Sequence, residues 1–410
     1  MSRKTKESDL TRREFMKTVG LAGIALAGTG VTGAIAAPET PAAPPKSKTV
    51  PKRPLGKTGV EVSSLCLGGM FDTLNNQLLL KQALKWGVNY WDTAESYGNG
   101  MSEQGMGRFF SRNPEARKEV FLVTKLQTKG GNLTERLDKA LKRLQTPNVD
   151  LFFIHSVTDP EQMTQDLKDW AAQMKQAGKI KFFGFSTHTN MEDCLQGASK
   201  MGFIDAVMFT YNFQVMNTHK MKAAIKAAST AGIGLVAMKT QAGKPGPVKV
   251  ASKAKAHLLD QFLSRGFTDK QARLKVVWET PQIASICSQM PNLTILSSNV
   301  AAALDQTKLA KAEIDSLQRY AQETKADYCA GCGKICQDAV GGAIPVNEVM
   351  RCLMYRQYYG EPELARLTFE GLGEEVKQRL TEVDYSQAEL ACPRGLAIAY
   401  LMRRAKEMLA

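Results

Sequence analysis

Two groups of residues in this 410-residue chain have types and spacings that could do chemistry. One is a set of four cysteines: Cys329, Cys332 and Cys336 in the spacing C-x2-C-x3-C, and Cys392, which precedes Pro393. Thiolates gathered in this way are soft ligands for iron or zinc. Cys66, Cys194, Cys287 and Cys352 stand singly in apolar or helical contexts and read as packed thiols. The other group is Asp92, Tyr97, Lys125 and His155. A tyrosine is a poor acid near neutral pH, with an ordinary pKa of about 10, and a neighbouring ammonium is expected to stabilise its phenolate and lower that value. Tyr97 beside Lys125 has the ingredients of a general acid/base, with Asp92 to pair with the lysine and His155 to hydrogen-bond a substrate oxygen. Singly, each has an ordinary role; brought together at successive strand ends, they could do chemistry.

The elements that would position them recur along the middle of the chain. Short apolar runs occupy residues 64–69, 88–93, 120–126, 151–155, 182–186, 206–211, 234–239 and 283–288, with amphipathic stretches such as Thr134 to Leu144 and Asp166 to Ala177 between them. Alternating short strands and helices imply parallel strands joined by right-handed crossovers. Eight such units predict a closed (β/α)8 TIM barrel, an α/β fold. The rival, an open doubly wound sheet, should carry a G-x-G-x-x-G turn after its first strand, and Gly68-Gly69-Met70-Phe71-Asp72 does not fit it. A barrel puts its chemistry at the C-terminal ends of its strands. Asp92 ends the second run, Tyr97 follows it, Lys125 lies near the end of the third and His155 ends the fourth.

At these residues the chain resembles the aldo-keto reductase family. Asn89-Tyr90-Trp91-Asp92-Thr93-Ala94-Glu95-Ser96-Tyr97-Gly98 is similar to the family's signature, Val123-Thr124-Lys125 to its lysine strand and Asp150-Leu151-Phe152-Phe153-Ile154-His155 to its histidine strand. The resemblance runs from about Arg53 to Ala303. It implies hydride transfer between NADP(H) or NAD(H) and a small carbonyl or alcohol, with Tyr97 as proton donor, Lys125 tuning it, Asp92 holding Lys125 and His155 orienting the carbonyl. It also implies cofactor contacts: Ser186 on the carboxamide, Tyr211 on the nicotinamide ring, Lys239 on the pyrophosphate and Asn299 on the adenine. After the eighth run, Gln289-Met290-Pro291-Asn292-Leu293-Thr294 lacks the basic residue that in the family reads the 2′-phosphate.

The strand pattern stops after Lys311, and the remainder reads as a small, mainly helical domain. Its cysteines resemble the bacterial ferredoxin run C-x2-C-x2-C-x3-C-P, in which the fourth cysteine ligates the other cluster. Reduced by half, such a module keeps Cys329, Cys332 and Cys336 and takes Cys392 as the fourth ligand, which implies one 4Fe–4S cluster. Zinc also suits four cysteines, and disulfides are the default in an oxidising compartment.

The first 37 residues read as an export signal. Arg12 and Arg13, followed by Phe15 and Lys17, precede a glycine-rich, weakly apolar stretch that closes on Ala34-Ile35-Ala36-Ala37. The pattern resembles twin-arginine signals, which carry folded cargo, and predicts a periplasmic or otherwise exported protein. Residues 38–53 read as a Pro/Ala-rich linker, 54–310 as the barrel and 311–410 as the iron-sulfur domain. The net charge is +14, and removing residues 1–36 still leaves +11, but the basic residues are scattered. The densest stretch, with Lys239, Lys244, Lys249, Lys253 and Lys255, reads as a solvated loop. No nucleic-acid partner and no membrane span after the signal are expected, whereas a cluster would suit a redox protein partner. The alternative is a non-nicotinamide electron-transfer or binding subunit with the barrel as scaffold.

Overall fold

The computed structural model describes residues 49–241 and 266–409. The expected export signal, most of the expected linker and Lys244, Lys249, Lys253 and Lys255 lie outside the described residues. Strands β1 (Lys52–Pro54) and β2 (Glu61–Ser63) pair antiparallel. Eight parallel strands then follow: β3 (Leu65–Gly68), β4 (Tyr90–Asp92), β5 (Phe121–Leu126), β6 (Val149–Ile154), β7 (Ile180–Thr187), β8 (Ala206–Thr210), β9 (Gly234–Met238) and β10 (Ile283–Gln289). They close in the order β10-β3-β4-β5-β6-β7-β8-β9. Each of the eight apolar runs forms one strand of this barrel. The hairpin is a difference from the sequence reading, because Val50 is buried and Lys52 opens β1, so the linker ends before Arg53.

Strand periodicity divides the apolar side chains into two layers. Leu55, Tyr90, Val123, Phe153, Met208 and Val236 pack inside the barrel, while Trp91, Leu122, Phe152, Phe209 and Tyr211 belong to the layer between strands and helices. The same two-residue period carries inward direction from Tyr90 to Asp92, from Val123 to Lys125 and from Phe153 to His155. Trp91, pointing outward, stacks on Phe110 with ring centroids 5.5 Å apart and holds the helix Met101–Arg112 against β4. That helix also carries Glu103, fully buried, which accepts from Thr124 Oγ1 at 2.5 Å and from Arg143 Nε at 2.6 Å. Gly184 in β7 lets β8 approach, since a Cβ there would lie 1.8 Å from the Ala206 carbonyl oxygen.

The C-terminal segment is helical: Lys311–Glu323, Gly333–Ala339, Val346–Met354, Pro362–Glu370, Glu374–Arg379, Ser386–Ala391 and Ile398–Leu409, with a π-helical turn over Tyr355–Tyr359. It has its own core, in which Phe369, Leu380 and Met402 are fully buried. It is nevertheless laid against the mouth of the barrel. Asn190 N–H donates to the Gly331 carbonyl at 2.7 Å, Asn347 Nδ2 to Thr189 Oγ1 at 2.7 Å, and Asn212 Nδ2 to Tyr328 Oη at 2.9 Å. Gly331 has φ +80°, and a Cβ there would meet the His188 carbonyl at 2.5 Å, so glycine is what permits this approach.

Candidate active site

At the barrel mouth the four predicted residues meet. Lys125 Nζ donates to Asp92 Oδ1 at 2.5 Å, to the Thr93 carbonyl at 2.8 Å and to Tyr97 Oη at 3.4 Å. Lys125 and Asp92 are each 1% exposed. Two charges so deeply buried persist only as a pair. Burial, the largest single influence, disfavours the charged Lys125, but the combined pull of Asp92, Tyr97 and Cys287 and the hydrogen bond to Asp92 holds the ammonium above its ordinary pKa. The His155 ring stands edge-on to Tyr97, with centroids 5.9 Å apart and planes at 82°. Burial, followed by the nearby positive charges of Lys125, Arg351 and Lys239, lowers His155 to about 3, so its imidazole is neutral.

Tyr97 corrects the sequence expectation. Burial pushes its phenol above the ordinary value, and the opposing pull of Lys125 does not compensate, because that ammonium is already engaged with Asp92. The group is therefore a phenol O–H, suited to giving a proton to an oxygen that gains charge beside it.

Of the four expected nicotinamide contacts, Ser186 and Lys239 stand at the mouth, whereas the side chains of Tyr211 and Asn299 are engaged elsewhere. Ser186 is buried at the mouth, its Oγ accepting from the Ser156 N–H at 3.1 Å. Lys239, with φ +55°, turns toward the C-terminal segment, its Nζ 3.5 Å from Tyr355 Oη and over the rings of Tyr355 and Tyr359. Tyr211 lies on the outward side of β8 and its hydroxyl is 3.1 Å from Thr280 Oγ1, away from the mouth. Asn299 is 1% exposed and enclosed by Ser288 Oγ at 3.0 Å and Gln241 Nε2 at 3.0 Å.

Cys329, Cys332, Cys336 and Cys392 line one recess of about 350 Å³, counting the part open to solvent. Its wall includes Pro393 and Arg394, and Arg394 donates to Gln214 Oε1 at 2.6 Å and to the Tyr328 carbonyl at 3.2 Å, tying the Cys392 segment to the barrel. Burial raises Cys329 to about 12 and Cys332 to about 11, with repulsion from neighbouring cysteines adding to it. Among the described residues no group of three or more His, Cys, Asp or Glu side chains is placed to hold a metal ion. The four cysteines therefore share one recess without being placed as a metal-binding group. Cys66, Cys194 and Cys352 are buried thiols, as expected. Cys287 is half-buried, and its Sγ lies 3.7 Å from Asp92 Oδ1.

Residues that the sequence did not single out complete the mouth. His188, Thr210, Arg351, Asn347 and Tyr328 line a second recess together with Lys239 and Cys329. No local motif marks Arg351, which comes to the mouth only through tertiary packing.

The closed parallel barrel thus places a buried lysine–carboxylate pair beside a tyrosine and a histidine. Residues 65–248 match the model of the aldo/keto reductase family. It is 26% identical over 215 residues to the uncharacterized oxidoreductase YrpG of Bacillus subtilis, covering 46% of this chain and 66% of that protein. It is 29% identical over 157 residues to the NADP(+) aldo-keto reductase yakc of Schizosaccharomyces pombe, covering 34% of this chain and 46% of that one. The chain thus spans about half to two thirds of the length of these relatives. The holo form of aldo-keto reductase AKR11C1 from Bacillus halodurans shares the fold, with TM-score 0.55 and 21% identity over 65% of this chain and 95% of that one. No helix among the described residues is long and apolar enough to cross a membrane.

Proposed function

We propose that the protein is an oxidoreductase of the aldo-keto reductase type that interconverts a carbonyl and an alcohol, and that it carries one 4Fe–4S cluster on Cys329, Cys332, Cys336 and Cys392. The observation that carries the first part is the Lys125 ammonium placed between Asp92 and Tyr97. The carbonyl oxygen accepts hydrogen bonds from the Tyr97 hydroxyl and from His155. As reducing equivalents reach the carbonyl carbon, Tyr97 gives its proton to the oxygen, and Lys125 stabilises the phenolate left behind. Asp92 keeps Lys125 charged and in place.

NADP(H) is the reductant typical of the family, but the placement of Tyr211 and Asn299 assigns these residues no part in holding it. A second reading, in which electrons enter through the cluster and the barrel works without nicotinamide, is favoured by one observation: Cys329 lines both the cysteine recess and the recess at the barrel mouth. A cluster passes single electrons, so this reading calls for a one-electron donor protein as partner.

Full-length protein purified without oxygen tests both parts. Iron and acid-labile sulfide in equal amounts, lost in Cys392→Ala, are expected, and a colourless zinc protein overturns the cluster. Carbonyl reduction is to be assayed with NADPH, with NADH and with reduced methyl viologen. Turnover with any of these that disappears in Tyr97→Phe supports the enzyme, the effective donor choosing between the two readings, and turnover with none overturns it. Export by the twin-arginine route is part of the proposal and rests on Arg12 and Arg13. Replacing both by lysine should leave the protein in the cytoplasm, and export that is unaffected by the replacement overturns this part.

A further inference from the structure

The recess between the barrel mouth and the C-terminal segment carries an excess of positive charge. Lys239 projects into it from the end of β9, its ammonium 4.5 and 4.8 Å from the ring centres of Tyr355 and Tyr359, and no carboxylate of the described residues forms an ion pair with it. Arg351 enters from the opposite wall. One edge of its guanidinium is paired with Glu348, while its Nε–H is buried with no hydrogen-bond acceptor. A buried donor left unpaired is costly, and a cation without its anion more so. His188 and Thr210, hydrogen-bonded to one another at 3.3 Å, and Asn347 supply further polar wall. His188 of this recess and the carbonyl-orienting His155 follow the neighbouring strands β7 and β6, and the charges of Lys239 and Arg351 act on His155.

We infer that Lys239 and Arg351 form a binding site for an anionic oxygen group of the substrate, so that the carbonyl compound taken by this enzyme is a small carboxylate of the 2-oxo acid and 2-hydroxy acid class. This rests on the carbonyl–alcohol reading of Tyr97 and His155. A carboxylate held between the Lys239 ammonium and the Arg351 Nε–H satisfies both groups, and a carbonyl one bond away is turned toward the imidazole and phenol. A guanidinium edge and an ammonium together bind a planar carboxylate with charge-assisted hydrogen bonds. The phosphate of a nucleotide offers the same oxygen chemistry and is the other source to be distinguished.

Calorimetric titration of the anaerobically purified full-length protein with pyruvate, with the uncharged analogue hydroxyacetone and with inorganic pyrophosphate separates these cases. Pyruvate is expected to bind more tightly than hydroxyacetone. The preference should fall roughly 10- to 100-fold in Lys239→Met and in Arg351→Met, the loss of a hydrogen bond to a charged group. Arg351→Lys, which preserves the charge beside Glu348, should fall less, and Tyr97→Phe should keep the preference. Equal binding of pyruvate and hydroxyacetone, or a preference unchanged in both methionine variants, overturns the inference. So does binding of pyrophosphate alone with loss in the same variants, which assigns the site to a nucleotide phosphate. Tyr97-dependent turnover of hydroxyacetone without any preference for pyruvate sinks the anion site and leaves the carbonyl reading standing. Residue-dependent pyruvate binding with no turnover by any donor supports the anion site and sinks the carbonyl reading.

Discussion

Lys125 and Asp92 meet on adjacent strands with Nζ and Oδ1 2.5 Å apart, both sealed from solvent inside the barrel. Removing one partner leaves the other charge buried and uncompensated, at a cost of about 3–5 kcal/mol. Lys125→Met is expected to lose about that much in urea unfolding, and the double variant Lys125→Met/Asp92→Asn to recover a large part of it. Both variants should lack carbonyl turnover. A double variant no more stable than the single one shows that packing, and not charge, sets the cost.

The phenol of Tyr97 is raised by burial, so the proton donor stays loaded well into alkaline solution. The reactive form in the reduction direction is the protonated one. A raised pKa therefore moves the alkaline fall in rate upward, above the ordinary tyrosine value of about 10. His155 is neutral down to about pH 3 and should add no inflection near pH 6 to 7. The pH dependence of kcat/KM checks both points, and a rate falling already between about pH 7 and 9 contradicts the assignment of Tyr97.

Acid should destabilise the fold through the same histidine. The folded-state value of His155, about 3, lies below its ordinary 6.5, so as the pH falls through 6.5 the unfolded chain takes up a proton that the folded chain refuses. Stability is thus fully present above about pH 6.5 and is lost as the pH falls from there toward 3. Urea midpoints between about pH 7 and 4 should show this slope, and His155→Asn should make it shallower. His188, lowered in the same direction by burial and by Lys239 and Arg351, keeps part of the slope in that variant.

Gly331 sits between Cys329 and Cys332 with φ +80° and its Cα against the His188 carbonyl. Gly331→Ala adds a methyl group 2.5 Å from that oxygen and strains the backbone, which should cost about 1–3 kcal/mol. Because the barrel core does not include Gly331, the change is expected to lower the iron content and brown absorbance of the proposed cluster while the far-ultraviolet dichroism of the barrel persists. Full iron content in the variant shows that the cysteines are positioned without this contact.

The amino-acid sequence by itself determined the eight strands, the meeting of Asp92, Tyr97, Lys125 and His155, and the cysteine set whose members line one recess. These signals are local: an apolar run of strand length, a polar residue at its end, a spacing of two or three between thiols. Whether a barrel residue faces inward or outward was not legible, because strands buried on both faces are apolar at every position. Thus Tyr211, three residues beyond Met208, falls on the outer layer and not at the mouth. The tertiary structure alone decided what covers the mouth. Arg351, Tyr355 and Tyr359 reach Lys239 and the neighbourhood of His155 from more than a hundred residues away, carried by helices whose amphipathic pattern records only that they pack, not against what. It also decided the protonation of Tyr97, since the spacing of Tyr97 and Lys125 tells of their attraction while the burial that outweighs it belongs to the assembled barrel.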